Sequence, residues 1–101
     1  MSDAFNGLTP AQAERLGMLV EECGEVIQIA GKILRHGYDS YHPNDPTTTN
    51  RHLLVLELRD VNAVLKAMAR DELINANINT GVEDIWAKKL RYAHHQEADH
   101  E

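Results

Sequence analysis

Apolar residues recur at helical spacing from Leu16 to Leu34, through Leu19, Val20, Cys23, Val26, Ile27, Ala30 and Ile33. Counted from Pro10, the pattern lasts about seven turns at ~3.6 residues each. A stripe that long commits this part of the chain to one helix, which must bury a face against a partner. The start is marked in the sequence. Thr9 suits the N-cap, Pro10 the first helical position, and Gln12 completes a capping box of the T-x-x-Q kind. Gly37 is a natural stop, because glycine takes the left-handed cap position without cost.

The remaining segments are also helical in pattern. Residues 38–49 hold Pro43, Pro46 and the run Thr47-Thr48-Thr49, and read as a loop. At 12 residues it exceeds the ~2–8 usual between bundle helices, a length found in functional lids as well as in plain connections. A second helix is expected from Thr49 or Asn50 to about Ala69, with the stripe Leu53, Leu54, Leu58, Val61, Val64, Leu65 and Met68. Residues 71–79 suggest a short helix. A last helix opens on the capping box Thr80-Gly81-Val82-Glu83 and carries Val82, Ile85, Trp86, Leu90 and Ala93. The expectation is an all-α bundle of about four helices in one domain, 1–101, with flexible ends at 1–8 and 95–101.

Composition removes several function classes. No apolar run nears the ~20 residues that span a bilayer, so no membrane-spanning helix is expected. The first seven residues carry no basic and apolar leader. The net charge of −6 argues against a nucleic-acid polymer as partner, since phosphate backbones call for a basic surface. A single cysteine, Cys23, excludes an internal disulfide and fits a reducing cytoplasm. It falls in the stripe and reads as core. His94, His95 and His100 read as a polar tail, and Trp86 as a core or interface anchor.

Acidic residues carry the chemistry. On a wheel with Leu54 of the second helix at zero, Glu57 falls at roughly −60°, inside the apolar stripe, and Asp60 at roughly −120°, on its edge. A carboxylate in a buried stripe must be paired, protonated or bound to metal. With Leu16 of the first helix at zero, Glu22 lies at roughly −120°, just outside the stripe, and Glu25 opposite Leu16. Each helix thus presents an acidic i, i+3 pair, and antiparallel packing would bring four carboxylates together. Divalent cations relieve such crowding, and oxygen-only ligands on rigid helices suit Mg²⁺, or Mn²⁺ as a substitute.

The same residues resemble a known family. Glu21-Glu22-Cys23-Gly24-Glu25 with Glu57-Leu58-Arg59-Asp60 is similar to the E-E-x-x-E … E-x-x-D signature of MazG-type nucleoside triphosphate pyrophosphohydrolases. Lys32-Ile33-Leu34-Arg35-His36-Gly37 resembles small, phage-like members. The interval of 31 residues between Glu25 and Glu57 is longer than the family's usual spacing, and the excess lies in the 38–49 loop. The resemblance implies an all-α homodimer or homotetramer. It implies cleavage of a (d)NTP between the α and β phosphates with Mg²⁺, giving the monophosphate and pyrophosphate. Glu22, Glu25, Glu57 and Asp60 would then be the metal ligands, with Glu21 as the base or the water-orienting group.

Phosphate chemistry adds a need for cations on the polyphosphate. Lys32 and Arg35 on the first helix are candidates, as are Lys88, Lys89 and Arg91 on the last. Lys89 falls inside a stripe, whereas Lys88 and Arg91 match the family's spacing, so the choice among the three stays open. Two other functions compete. One is a non-catalytic helical assembly module whose acids pair with Arg35, Arg51 or Arg59. The other is a related carboxylate-metal hydrolase acting on phosphoribosyl nucleotides.

Overall fold

A computed structural model describes residues 6–72 and 78–96. Three α-helices occur among these residues: α1, Pro10–His36; α2, Asn50–Asp71; and α3, Val82–Leu90. The expected short helix over 71–79 and the expected flexible ends fall largely outside the described residues. Thr9 caps α1 as anticipated: its hydroxyl accepts from the Gln12 N–H (3.1 Å), and the Gln12 side chain accepts from the Thr9 N–H (2.9 Å). Gly37 ends α1 as expected, but at φ 92° and ψ 166° it lies outside the left-handed helical region that was expected, in an extended conformation that still favours glycine. Thr49 caps α2 by accepting from the His52 N–H (3.2 Å).

The capping box expected for α3 does not form. Gly81, not Thr80, is the N-cap, in the left-handed conformation at φ 73°, and no side chain caps the helix. Glu83 and Asp84 in the first turn and Lys88 and Lys89 in the last still complement the helix dipole.

α1 and α2 pack as an antiparallel hairpin, and α3 packs against neither. The open end is tied by Arg15, whose guanidinium bonds Glu72 and lies 3.5 Å from Asp71. At the closed end the 38–49 loop is held in place. An isolated antiparallel bridge joins Tyr41 to Thr49. Asn50 is buried, donates from Nδ2 to the Gly37 carbonyl (3.3 Å), and donates its backbone N–H to the Ser40 carbonyl (2.8 Å). Arg51 lies over the Tyr38 ring at 4.5 Å and bonds Asp39 at 3.3 Å.

The inward face of α2 largely matches its stripe: Leu53, Leu54, Val61, Val64 and Leu65 are half-buried and Met68 is buried. Leu58 is the exception, with about half its surface exposed (49%). On α1 the inward face is rotated by roughly 70° from the centre of the apolar stripe, at 100° per residue. Leu19, Glu22, Val26, Ile29 and Ile33 turn toward α2. Leu16, Val20, Ile27 and Leu34 stay outside, and so does Cys23, which is not core. The sequence stripe merges two neighbouring faces, of which this chain covers one.

Gly17, Gly24 and Gly31 run beside that outer face at heptad spacing, and a Cβ at Gly17 or Gly24 would meet nothing. The radius of gyration is 17.6 Å, against about 13 Å for a compact domain of this length. Met68 and Asn50 are the only buried residues among those described. One chain is thus a hairpin with an uncovered apolar face and a detached amphipathic helix.

Candidate functional site

The inward face of α1 carries its acids because the rotation described above moves Glu22 from beside the stripe into the α1–α2 seam. Glu25 follows one turn later at its edge. Glu57 enters the same seam from α2, where its place in the stripe had put it. Glu22, Glu25 and Glu57 are all half-buried and offer carboxylate oxygens within 4.8 Å of one another. Three of the four acids expected to converge from the two i, i+3 pairs do so; Asp60 is not among them.

The electrostatics follow from the geometry. As carboxylates, Glu22 Oε1 and Glu57 Oε2 are shielded from solvent and have no hydrogen-bond donor. Glu57 is pushed up from an ordinary 4.5 to about 7, first by desolvation, then by Glu25, Glu22 and Asp60. Glu22 is also raised, by desolvation, then Glu25 and Asp60, while its hydrogen bond with Glu57 works the other way. Strong upward displacement of carboxyls from like charge and burial is a mark of functional sites.

Asp60 stands outside the close triad and is exposed, yet its charge reaches both Glu22 and Glu57. Glu21 is exposed beside Glu22 and adds to the negative potential on it. The described ion pairs use Arg15, Arg51 and Arg70 with Asp39, Asp71 and Glu72, so no arginine neutralises the triad. The donor set fits a hard divalent cation: oxygen ligands only, two of them without a donor, on two packed helices.

The cationic candidates divide into two groups. Lys32 and Arg35 lie on α1 beyond the acids and border a cavity at the closed end of the hairpin. Lys88, Lys89 and Arg91 are exposed on and just after α3, and among the described residues no helix contact brings them to the triad. Sequence reasoning did not find that cavity, since it is built by the loop fold. The two prolines and the threonine run signalled an irregular segment but not its closure onto Asn50.

Comparison with protein-family models, curated proteins and solved structures gives no match. No helix among the described residues is long and apolar enough to cross a membrane.

Proposed function

We propose that the chain is a divalent-metal-dependent hydrolase of nucleoside triphosphates, releasing the monophosphate and pyrophosphate. The observation that carries this is the triad of Glu22, Glu25 and Glu57, with two shielded oxygens that lack any donor. Buried like charges of this kind are retained where a cation compensates them. Glu22, Glu25 and Glu57 would hold Mg²⁺ or Mn²⁺, with Asp60 as a fourth acid reaching the site directly or through water. When bound, the metal supplies charge neutralisation on the polyphosphate and a more acidic water.

The chain's own residues do the rest. Glu21, exposed beside the triad, takes the proton of the attacking water. The two packed helices hold the acids at fixed separation, so little reorganisation is needed on substrate binding. Lys32 and Arg35 carry the phosphate charge away from the acids. The choice of a nucleoside triphosphate over other phosphate compounds rests on the E-E-x-x-E … E-x-x-D resemblance, not on the geometry. The reading goes with a cytoplasmic location, where nucleotide pools lie and a single thiol stays reduced.

The active form is a homo-oligomer, dimer or tetramer. The support is physical: an uncovered apolar face on α1, a heptad line of glycines beside it, and an extended hairpin with almost nothing buried. A second copy would complete a bundle of four helices from two hairpins and bring a partner's α3 cations within reach.

Incubation with a panel of (d)NTPs and Mg²⁺, followed by pyrophosphate measurement, tests the function. Release from at least one nucleotide, abolished by chelation, is expected. Thermal stabilisation by Mg²⁺ with no turnover of any triphosphate, but hydrolysis of a phosphoribosyl nucleotide, would move the assignment to the related hydrolase. No stabilisation and no turnover would leave the assembly module.

A further inference from the structure

The closed end of the hairpin contains a cavity of about 250 Å³. Lys32, Arg35 and His36 from the end of α1, Ser40 and His42 from the loop, and Asn50 from the start of α2 line it together with Tyr41 and Pro43. No carboxylate lines it. Lys32 and Arg35 form no ion pair among the described residues, in a chain whose net charge is −6. The loop's own acids are already engaged: Asp39 by Arg51, and Asp45 by the Thr47 hydroxyl at 2.9 Å.

The walls set several hydrogen-bond donors among mainly apolar surface. His42 Nδ1 accepts the Asn44 N–H at 3.1 Å, which leaves the proton of the neutral ring on Nε2 as a donor. Asn50 is buried and anchored to Gly37, so the loop does not need a ligand to close. Lysine, arginine, imidazole N–H and serine are the donors that phosphate groups take. The volume lies below the ~300–1,000 Å³ of pockets that enclose a whole small molecule, so one end of a ligand fits.

We propose that this cavity is a phosphate-binding pocket that holds a phosphoryl group without a metal ion. In the substrate of the acid site it takes the end of the polyphosphate remote from the cleaved bond. That second statement rests on the hydrolase reading; the anion chemistry of the pocket does not. Position agrees with it. Lys32 follows Glu25 by seven residues and Asn50 precedes Glu57 by seven, two turns or about 10 Å of rise along each helix. The pocket therefore continues the seam that holds the acids.

Titration calorimetry with inorganic pyrophosphate in EDTA tests the proposal on the full chain. The native protein and Glu57→Gln should both bind it, with similar affinity. Arg35→Gln and Lys32→Gln should each bind about tenfold more weakly or worse, the loss expected for one charge-assisted contact. Their far-UV circular dichroism should match the native chain. A deoxynucleoside monophosphate should bind no better than inorganic phosphate.

Absence of pyrophosphate binding without metal would overturn the proposal, as would binding that Arg35→Gln and Lys32→Gln leave unchanged. Tighter binding of the monophosphate than of pyrophosphate would overturn the assignment to the remote end. Failure of (d)NTP hydrolysis would leave the metal-free binding intact, so the two readings fail separately.

Discussion

Glu22 on α1 and Glu57 on α2 place carboxylate oxygens within 4.8 Å of each other, and each keeps one shielded oxygen without a donor. Neither acid is neutralised by an arginine, though the hairpin spends arginines elsewhere, on Asp39, Asp71 and Glu72. Arg15 and Glu72 show that the same seam accepts an ion pair two helical turns from Glu22. The seam thus holds one compensated and one uncompensated charge cluster. Burial and like charge bear on the uncompensated one, and a proton would relieve it.

Relief by a proton makes a pH prediction. Glu57 titrates near 7 in the folded chain against 4.5 ordinarily, and Glu22 is displaced the same way. Between those values the folded state binds more protons than the unfolded one, so stability falls as pH rises. In EDTA the melting temperature should drop from about pH 5 to about pH 8, the window set by these shifts. Asp45 and Asp71 are displaced downward, so their stability is lost only at more acidic pH, outside this window. Glu57→Gln should flatten the profile and melt no lower than the native chain at the alkaline end. A native profile that is flat or rising there would contradict the cluster.

The metal role of Glu57 is tested by the same variant in another readout. Outer residues around metal sites cost 10–100-fold when replaced, so loss of a ligand should lower turnover by at least about 100-fold. Mg²⁺ should raise the melting temperature of the native protein but not of Glu57→Gln. Asp60→Asn should fall between native and Glu57→Gln, because Asp60 is exposed and stands off the triad. Near-normal turnover of Glu57→Gln would remove it from the ligand set.

Assembly is predicted from the outer face of α1. Glycine inside a helix costs about 1 kcal/mol relative to alanine. Three glycines in one line beside Val20 and Ile27 make sense where another helix approaches closely. Gly24→Ala should therefore help the isolated helix, where the added methyl stands in open space, and yet weaken the proposed oligomer, where it would meet the second copy. Ile27→Glu should give monomers. Sedimentation velocity of the three proteins decides this; a native monomer at micromolar concentration would refute the assembly.

The two long helices and their caps were legible because the signals are local. Thr9 with Gln12 and Thr49 with His52 act within one turn, and no tertiary context overrides them. Replacing Thr9 with alanine should cost about 1 kcal/mol. Glu57 was legible because it is the one charged residue in an otherwise apolar stretch of the stripe from Leu53 to Met68. The division of the α1 stripe into an inner and an outer face was not legible. Leu16 and Leu19 are equally apolar, and which one meets α2 depends on the partner's shape. Thr80 failed as a cap because Gly81 adopts a left-handed conformation that starts α3 one residue later. The cavity at Lys32 and Arg35 depends on hydrogen bonds from Asn50 to Gly37 and Ser40, which no spacing rule encodes.

The position of attack separates the proposed reaction from its nearest variants. If water attacks the α phosphorus, the bond to the bridging oxygen breaks and pyrophosphate leaves with both of its remaining phosphates. Oxygen from solvent is then retained in the nucleoside monophosphate. Attack at the β phosphorus would use the same acids with the polyphosphate shifted by one unit, and would put solvent oxygen in pyrophosphate. The register is set by where the remote phosphate is held, which is the role given to Lys32 and Arg35. Hydrolysis in ¹⁸O-labelled water, read by mass spectrometry of both products, should therefore place label in the monophosphate alone. Arg35→Gln should raise KM more than it lowers kcat, because a binding contact has been lost and the acids are untouched. Label in pyrophosphate, or release of a nucleoside diphosphate with inorganic phosphate, would refute attack at the α position.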